Sequence, residues 1–102
     1  MRNVLFEDDA KKQFHHWEKQ DKKIFSKITK LLNEVRNTPF TGMGKPKPLK
    51  NQLSGYWSRR INKEHRLIYQ VTDDSIIVIS CRFRKDDTGM LINAMIRIKE
   101  SA

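Results

Sequence analysis

Residues 56–84 read Tyr56-Trp57-Ser58-Arg59-Arg60-Ile61, then Arg66-Leu67-Ile68-Tyr69-Gln70-Val71, then Ile76-Ile77-Val78-Ile79-Ser80-Cys81-Arg82-Phe83-Arg84. Each run has the length of a strand and is rich in β-branched and aromatic residues. Turn formers bound them, Ser54-Gly55 before the first and Thr72-Asp73-Asp74-Ser75 between the second and third. Because side chains alternate across a strand, Leu67, Tyr69 and Val71 share one face, and Arg66, Ile68 and Gln70 the other. In the last run Ile77, Ile79, Cys81 and Phe83 are expected on one face, with Ser80, Arg82 and Arg84 ending the opposite one. Arg60 falls with Ser58 and Tyr56, opposite Trp57 and Ile61. Such closely spaced runs predict an antiparallel meander.

Upstream the period changes to that of a helix. Ala10, Phe14 and Trp17 form an apolar stripe in a helix starting at Asp8 or Asp9, where Glu7, Asp8 and Asp9 suit the positive end of the dipole. Ile24, Phe25, Ile28, Leu31, Leu32 and Val35 predict a second helix, capped by Asp21. It should stop before Thr38-Pro39, because proline disfavours helical geometry in the residue before it. Asn3–Phe6 reads as a short strand. Gly42, Gly44, Pro46 and Pro48 predict an irregular loop carrying Lys45, Lys47 and Lys50. The order predicts an α+β domain, with an N-terminal strand and a two-helix hairpin packed on an antiparallel β-sheet. Met90–Ile98 is apolar and fits either a further helix or an added strand, so residues 86–102 are expected to be an extension to a domain spanning 1–85.

A chain of 102 residues has room for one domain. No apolar run approaches the roughly 18 residues of a membrane span, and Met1–Glu7 turns acidic too soon for a signal peptide. A single cysteine, Cys81, excludes an internal disulfide and a cysteine-rich zinc cluster. These features predict a cytoplasmic protein with no membrane partner. Its charge is +9, and the excess is local: residues 41–85 carry ten Lys and Arg against three acids, whereas residues 86–102 carry two against three. The basic segment is rich in arginine and interleaved with Tyr56, Trp57, Tyr69 and Phe83. Arginine forks onto phosphate and stacks on bases in a way lysine does not. An acidic or nucleic-acid partner is therefore expected, held on the arginine-bearing face of the sheet.

Other constellations carry less. His15 and His16 are adjacent and point about 100° apart on a helix, away from the i, i+4 spacing of metal ligands. Cys81 reads as a small core residue. Ser54, Ser58 and His65 lack a nucleophile elbow around them. The sequence has no phosphate-cradling glycine loop and no acidic cluster for a divalent ion, so no metal or cofactor is expected. No helix carries the Arg, Asn and Gln set that reads base edges in DNA.

Several blocks resemble a known family: Asn37-Thr38-Pro39-Phe40, Gly42-Met43-Gly44-Lys45-Pro46-Lys47-Pro48-Leu49-Lys50, Leu53-Ser54-Gly55-Tyr56-Trp57-Ser58-Arg59-Arg60-Ile61, Glu64-His65-Arg66-Leu67-Ile68-Tyr69 and Cys81-Arg82-Phe83. Over roughly residues 1–83 they are similar to the YoeB (Txe/YoeB) toxins of the RelE superfamily. The resemblance implies the α+β fold inferred above and a toxin of a type II toxin–antitoxin system. It also implies a ribosome-dependent mRNA interferase, an endoribonuclease using 2′-OH attack without a metal. The implied partners are the ribosome, mRNA and a YefM-like antitoxin with a partly disordered acidic segment, with operator DNA reached only through that antitoxin. The sequence leaves room for a homodimer.

Carried over position by position, the family's phosphate-gripping cations fall on Lys50, Arg60 and Arg66. Its general-base glutamate falls on Lys47, its acid histidine on Arg84 and its terminal aromatic on Lys85. The expected catalytic set is thus Lys47, Arg66 and Arg84, with Lys45, Lys50, Arg60, Arg82 and Lys85 holding RNA. Keeping the clamp while changing both proton-transfer groups admits an alternative, a catalytically weakened RNA- and antitoxin-binding module acting in operon autoregulation.

Overall fold

Asp21 decides where the helical hairpin bends. Its carboxylate accepts from the backbone N–H groups of Lys23 (3.0 Å) and Ile24 (3.2 Å), capping a helix whose first N–H groups have no partner of their own. In a computed structural model, which describes residues 1–84 and 87–101, α1 spans Asp8–Gln20 and α2 spans Lys22–Asn37. Helix α2 ends as expected: Thr38 N–H reaches Glu34 O at 2.8 Å and Pro39 follows. Its inner stripe, Ile28, Leu31 and Val35, is fully buried, each side chain contributing about 1.5–3 kcal/mol relative to exposure.

The sheet has five strands in the order β1-β5-β4-β3-β2, with β1 at Asn3–Phe6, β2 at Lys47–Pro48, β3 at Tyr56–Arg60, β4 at Arg66–Val71 and β5 at Ser75–Phe83. Strands β2 to β5 pair antiparallel, and β1 runs parallel to β5 with Asn3 opposite Ser75 and Phe6 opposite Val78. The two helices are the crossover that a parallel pair requires. They cover one face of the sheet, where Leu67, Tyr69, Ile76, Val78 and Cys81 join Ala10, Trp17 and the α2 stripe in one core.

One expectation is corrected on β5. Cys81 does not share a face with Ile77, Ile79 and Phe83. The β4–β5 register shifts twice, between the pairs at Arg66 and Ile68 and again between Ile68 and Tyr69. Each bulge inserts a residue and reverses the alternation beyond it. Cys81 thereby joins the helix-side core, where burial pushes its thiol up to about 12. Ile79 and Phe83 turn to the far face.

That far face is not bare. Leu53, Tyr56, Ile68, Ile79 and Phe83 form a second apolar cluster. The tail resolves the helix-or-strand ambiguity as a helix, α3 (Thr88–Ser101), whose Leu91 is buried in that cluster with Ile92 packed against it. Among the described residues no helix is long and apolar enough to cross a membrane.

At the open end of β5, where β1 has turned away into α1, side chains take over the ladder. Gln13 Oε1 accepts from Cys81 N–H at 2.9 Å and from Ser80 Oγ at 3.1 Å, while Trp17 Nε1 donates to Cys81 O at 2.9 Å.

Candidate nucleic-acid interface

Adjacent arginines on a strand must part to opposite faces, and Arg59 and Arg60 do so with different consequences. Arg59 points with Trp57 into the helix side and is fully buried. Its guanidinium donates to Tyr69 Oη (3.1 Å), Met43 O (3.1 Å), Thr41 O (2.9 Å) and Thr38 O, and Glu34 Oε1 lies 3.7 Å away. Tyr69 Oη in turn donates to Pro39 O at 2.7 Å. These bonds rivet residues 38–43 to the sheet. Sequence reasoning missed this role, although the alternation that sent Arg60 outward already placed its neighbour among Trp57 and Ile61.

The riveted segment leads into the lysine loop. Gly44 takes φ +84°, and a Cβ there would meet Arg60 O at 3.0 Å and Leu31 Cδ2 at 3.1 Å. Only glycine fits, because Arg60 N–H bonds to Gly44 O at 2.6 Å. Lys45 follows at φ 52°, and Lys47 then pairs opposite Ser58 in the short strand β2. Paired residues share a face, so Lys47 stands on the side of Ser58, Arg60 and Tyr56, and diagonal to Arg60.

Across β3 and β4, Arg60 sits directly opposite Arg66, and Arg66 opposite Phe83. Like charges directly opposed across a ladder destabilise it. Among the described residues neither arginine has a carboxylate within ion-pair distance; Arg66 Nη1 reaches only Asn62 O, at 3.3 Å. A local conflict kept without compensation marks a position chosen for something other than stability.

The other expected site residues are placed less tightly. Lys50 is exposed at the start of the 3₁₀ turn Asn51–Leu53. Arg84, just past β5, pairs with Glu64 at 3.1 Å. Arg82 turns away from the Arg60–Arg66 row and stands over the Trp17 ring at 5.9 Å. Lys85 lies outside the described residues. No group of three or more His, Cys, Asp or Glu is placed to hold a metal ion among the described residues.

His65 adds a group outside the expected site residues. It is buried, its ring edge-on to Trp17 at 5.0 Å, with Nε2 3.8 Å from Glu64 and Nδ1 without a hydrogen-bond partner. Burial lowers its pKa, and Arg84 and Arg82 add to the effect against the opposing pull of Glu64 and Asp87. The unfolded chain therefore binds this proton at higher pH than the folded one. Stability should fall as pH drops below about 6.5, the ordinary value for histidine. Thermal melts between pH 8 and pH 5 should show the loss, and His65→Phe, which keeps a ring on Trp17, should flatten it. Equal slopes for the two proteins would contradict this assignment.

Among the described residues, an α+β fold thus sets Arg60 and Arg66, without carboxylate partners, on one sheet face beside a loop of lysines. The family model for YoeB-like toxins of bacterial type II toxin–antitoxin systems matches residues 6–85, and the chain belongs to that family. It is 48% identical over 80 residues to Toxin YoeB of Escherichia coli K12, an alignment covering 78% of this chain and 95% of the relative. The Staphylococcus aureus YoeB dimer superposes with a TM-score of 0.76 at 43% identity, covering 81% of this chain and 97% of that one. The YoeB–YefM complex from the same organism gives 0.76 at 41% identity, covering 82% and 98%. The chain is a toxin of a type II system with the fold of these relatives.

Proposed function

We propose that this toxin is a ribosome-dependent mRNA interferase, an endoribonuclease whose nucleophile is the substrate's own 2′-OH. The observation that carries this reading is the opposition of Arg60 and Arg66 on one sheet face, with Lys47 beside them and no carboxylate on either arginine among the described residues. Attack of the 2′-oxygen on the adjacent phosphate forms a P–O bond and breaks the bond to the 5′-oxygen. The products are a 2′,3′-cyclic phosphate and a free 5′-OH. The 2′ proton needs an acceptor, and the pentacoordinate phosphorus needs cations already in place. Lys50, Arg60 and Arg66 grip the phosphate. Lys47 takes the 2′ proton, Arg84 meets the charge growing on the leaving 5′-oxygen, and water supplies the proton that makes that oxygen a 5′-OH. Lys45, Arg82 and Lys85 hold flanking backbone.

The functional unit in this reading is residues 1–85, with 86–102 an added segment. A YefM-like antitoxin lays an acidic, partly disordered segment over the same cations and excludes RNA, ordering as it binds. The dimer of the Staphylococcus aureus relative makes a homodimer of this chain a reasonable assembly.

Inducing the gene should arrest growth, a neighbouring small acidic protein should reverse the arrest, and ribosome-bound mRNA should be cut. RNA affinity should fall steeply with salt. Arg60→Ala and Arg66→Ala should each weaken it by about 1.5–3 kcal/mol, one charge-assisted contact. If neither substitution alters binding in a filter or fluorescence assay, the phosphate clamp is wrong.

A further inference from the structure

Where β1 leaves the edge of β5, a cavity of about 400 Å³ opens between α1, the end of β5 and the first turn of α3. Its volume is in the range of small-ligand sites. Its walls are of three kinds. Ile79, Phe83, Met90 and Leu91 make an apolar side, Arg82 and Arg84 supply donors, and Asp9 and Asp87 supply acceptors. His65 also lines it, and its Nδ1 is the one buried side-chain nitrogen or oxygen without a partner among the described residues.

That mixture discriminates between ligands. A phosphate alone would meet both carboxylates and leave the apolar wall uncovered. A fatty or purely apolar group would leave Asp9 and the remaining donors and acceptors of Arg82, Arg84 and Asp87 facing carbon, although Arg84 also pairs with Glu64 and Asp87 accepts from Arg84 N–H. A flat heterocycle with donors and acceptors on its rim satisfies all three walls, its faces on carbon and its edges on the charged groups. The cavity's position agrees. Phe83 is the cross-strand partner of Arg66, and Arg84 follows it directly. A base entering here would belong to a nucleotide adjoining the phosphate held on the Arg60–Arg66 row.

We infer that this cavity is a nucleobase subsite, taking an unpaired base next to the scissile phosphate. The inference rests on the RNA reading above and deepens it. Asp87, Met90 and Leu91 lie beyond the family match at residues 6–85, so sequence preference would be set partly by this chain's own C-terminal segment.

The test is NMR titration of the full chain with guanosine, adenosine, cytidine and uridine, with ribose and inorganic phosphate as controls. At least one nucleoside should shift the His65 ring and Met90 methyl signals saturably, about tenfold tighter than ribose, as expected for a stacked base. Phosphate should leave those signals in place. Nucleosides that fail to move them, or phosphate that moves them equally, would overturn the subsite. The two readings fail separately. A chain that binds nucleosides at His65 and Met90 yet cuts no RNA keeps the subsite and loses the interferase. One that cuts RNA while nucleosides miss the cavity loses the subsite alone.

Discussion

Arg59→Leu should cost about 3–5 kcal/mol of folding stability, the range for removing one partner of a buried charged network. Against a total of about 5–15 kcal/mol for a domain, the variant would be close to unfolded at 37 °C. The cause is local and countable. Leucine leaves Thr38 O, Thr41 O and Met43 O without the guanidinium that now satisfies them, and leaves Glu34 beside an empty place. Arg59→Lys should recover little, because one ammonium cannot span acceptors arranged for a planar fork. Urea denaturation measures both. A loss below about 1 kcal/mol, the worth of a single ordinary hydrogen bond, would show that the rivet does not hold the loop.

The second large effect concerns the chemistry proposed at Lys47. Lys47→Met should lower cleavage of ribosome-bound mRNA by about 10²–10⁴-fold, the usual contribution of a general base, while RNA binding is retained. The side chain is exposed on the two-residue strand β2, so folding should not be at issue. If the parent chain is itself nearly inert, the double change Lys47→Glu with Arg84→His should restore cutting, and the weakened binding module becomes the correct reading. A Lys47→Met variant that cuts at the parental rate would remove Lys47 from the mechanism.

What was legible in the sequence was what is local. Asp21 and Thr38-Pro39 bracket α2, and the alternation along 56–61 and 66–71 places Arg60 and Arg66 on one face. The structure bears out both. The parallel partner of β1 was not legible, because Asn3 and Ser75 meet across the whole helical hairpin. Nor was the face of Cys81, since a bulge is a choice made by two strands together and leaves no period in either. The far face read as open because nothing in Met90–Ile98 announced that Leu91 would close against Tyr56, Ile68 and Phe83. For the site, the shared face of Arg60 and Arg66 could be read from alternation, whereas their direct opposition depends on the β3–β4 register and the cavity beside Arg84 on three elements distant in sequence.

The side-chain bonds from α1 to β5 have a consequence for crowding. An open ladder is a template on which other chains add strands, the usual seed of sheet-to-sheet aggregation. At Cys81 both the amide and the carbonyl are already spoken for by Gln13 and Trp17. Neighbouring molecules at high concentration find no vacant rung at Cys81.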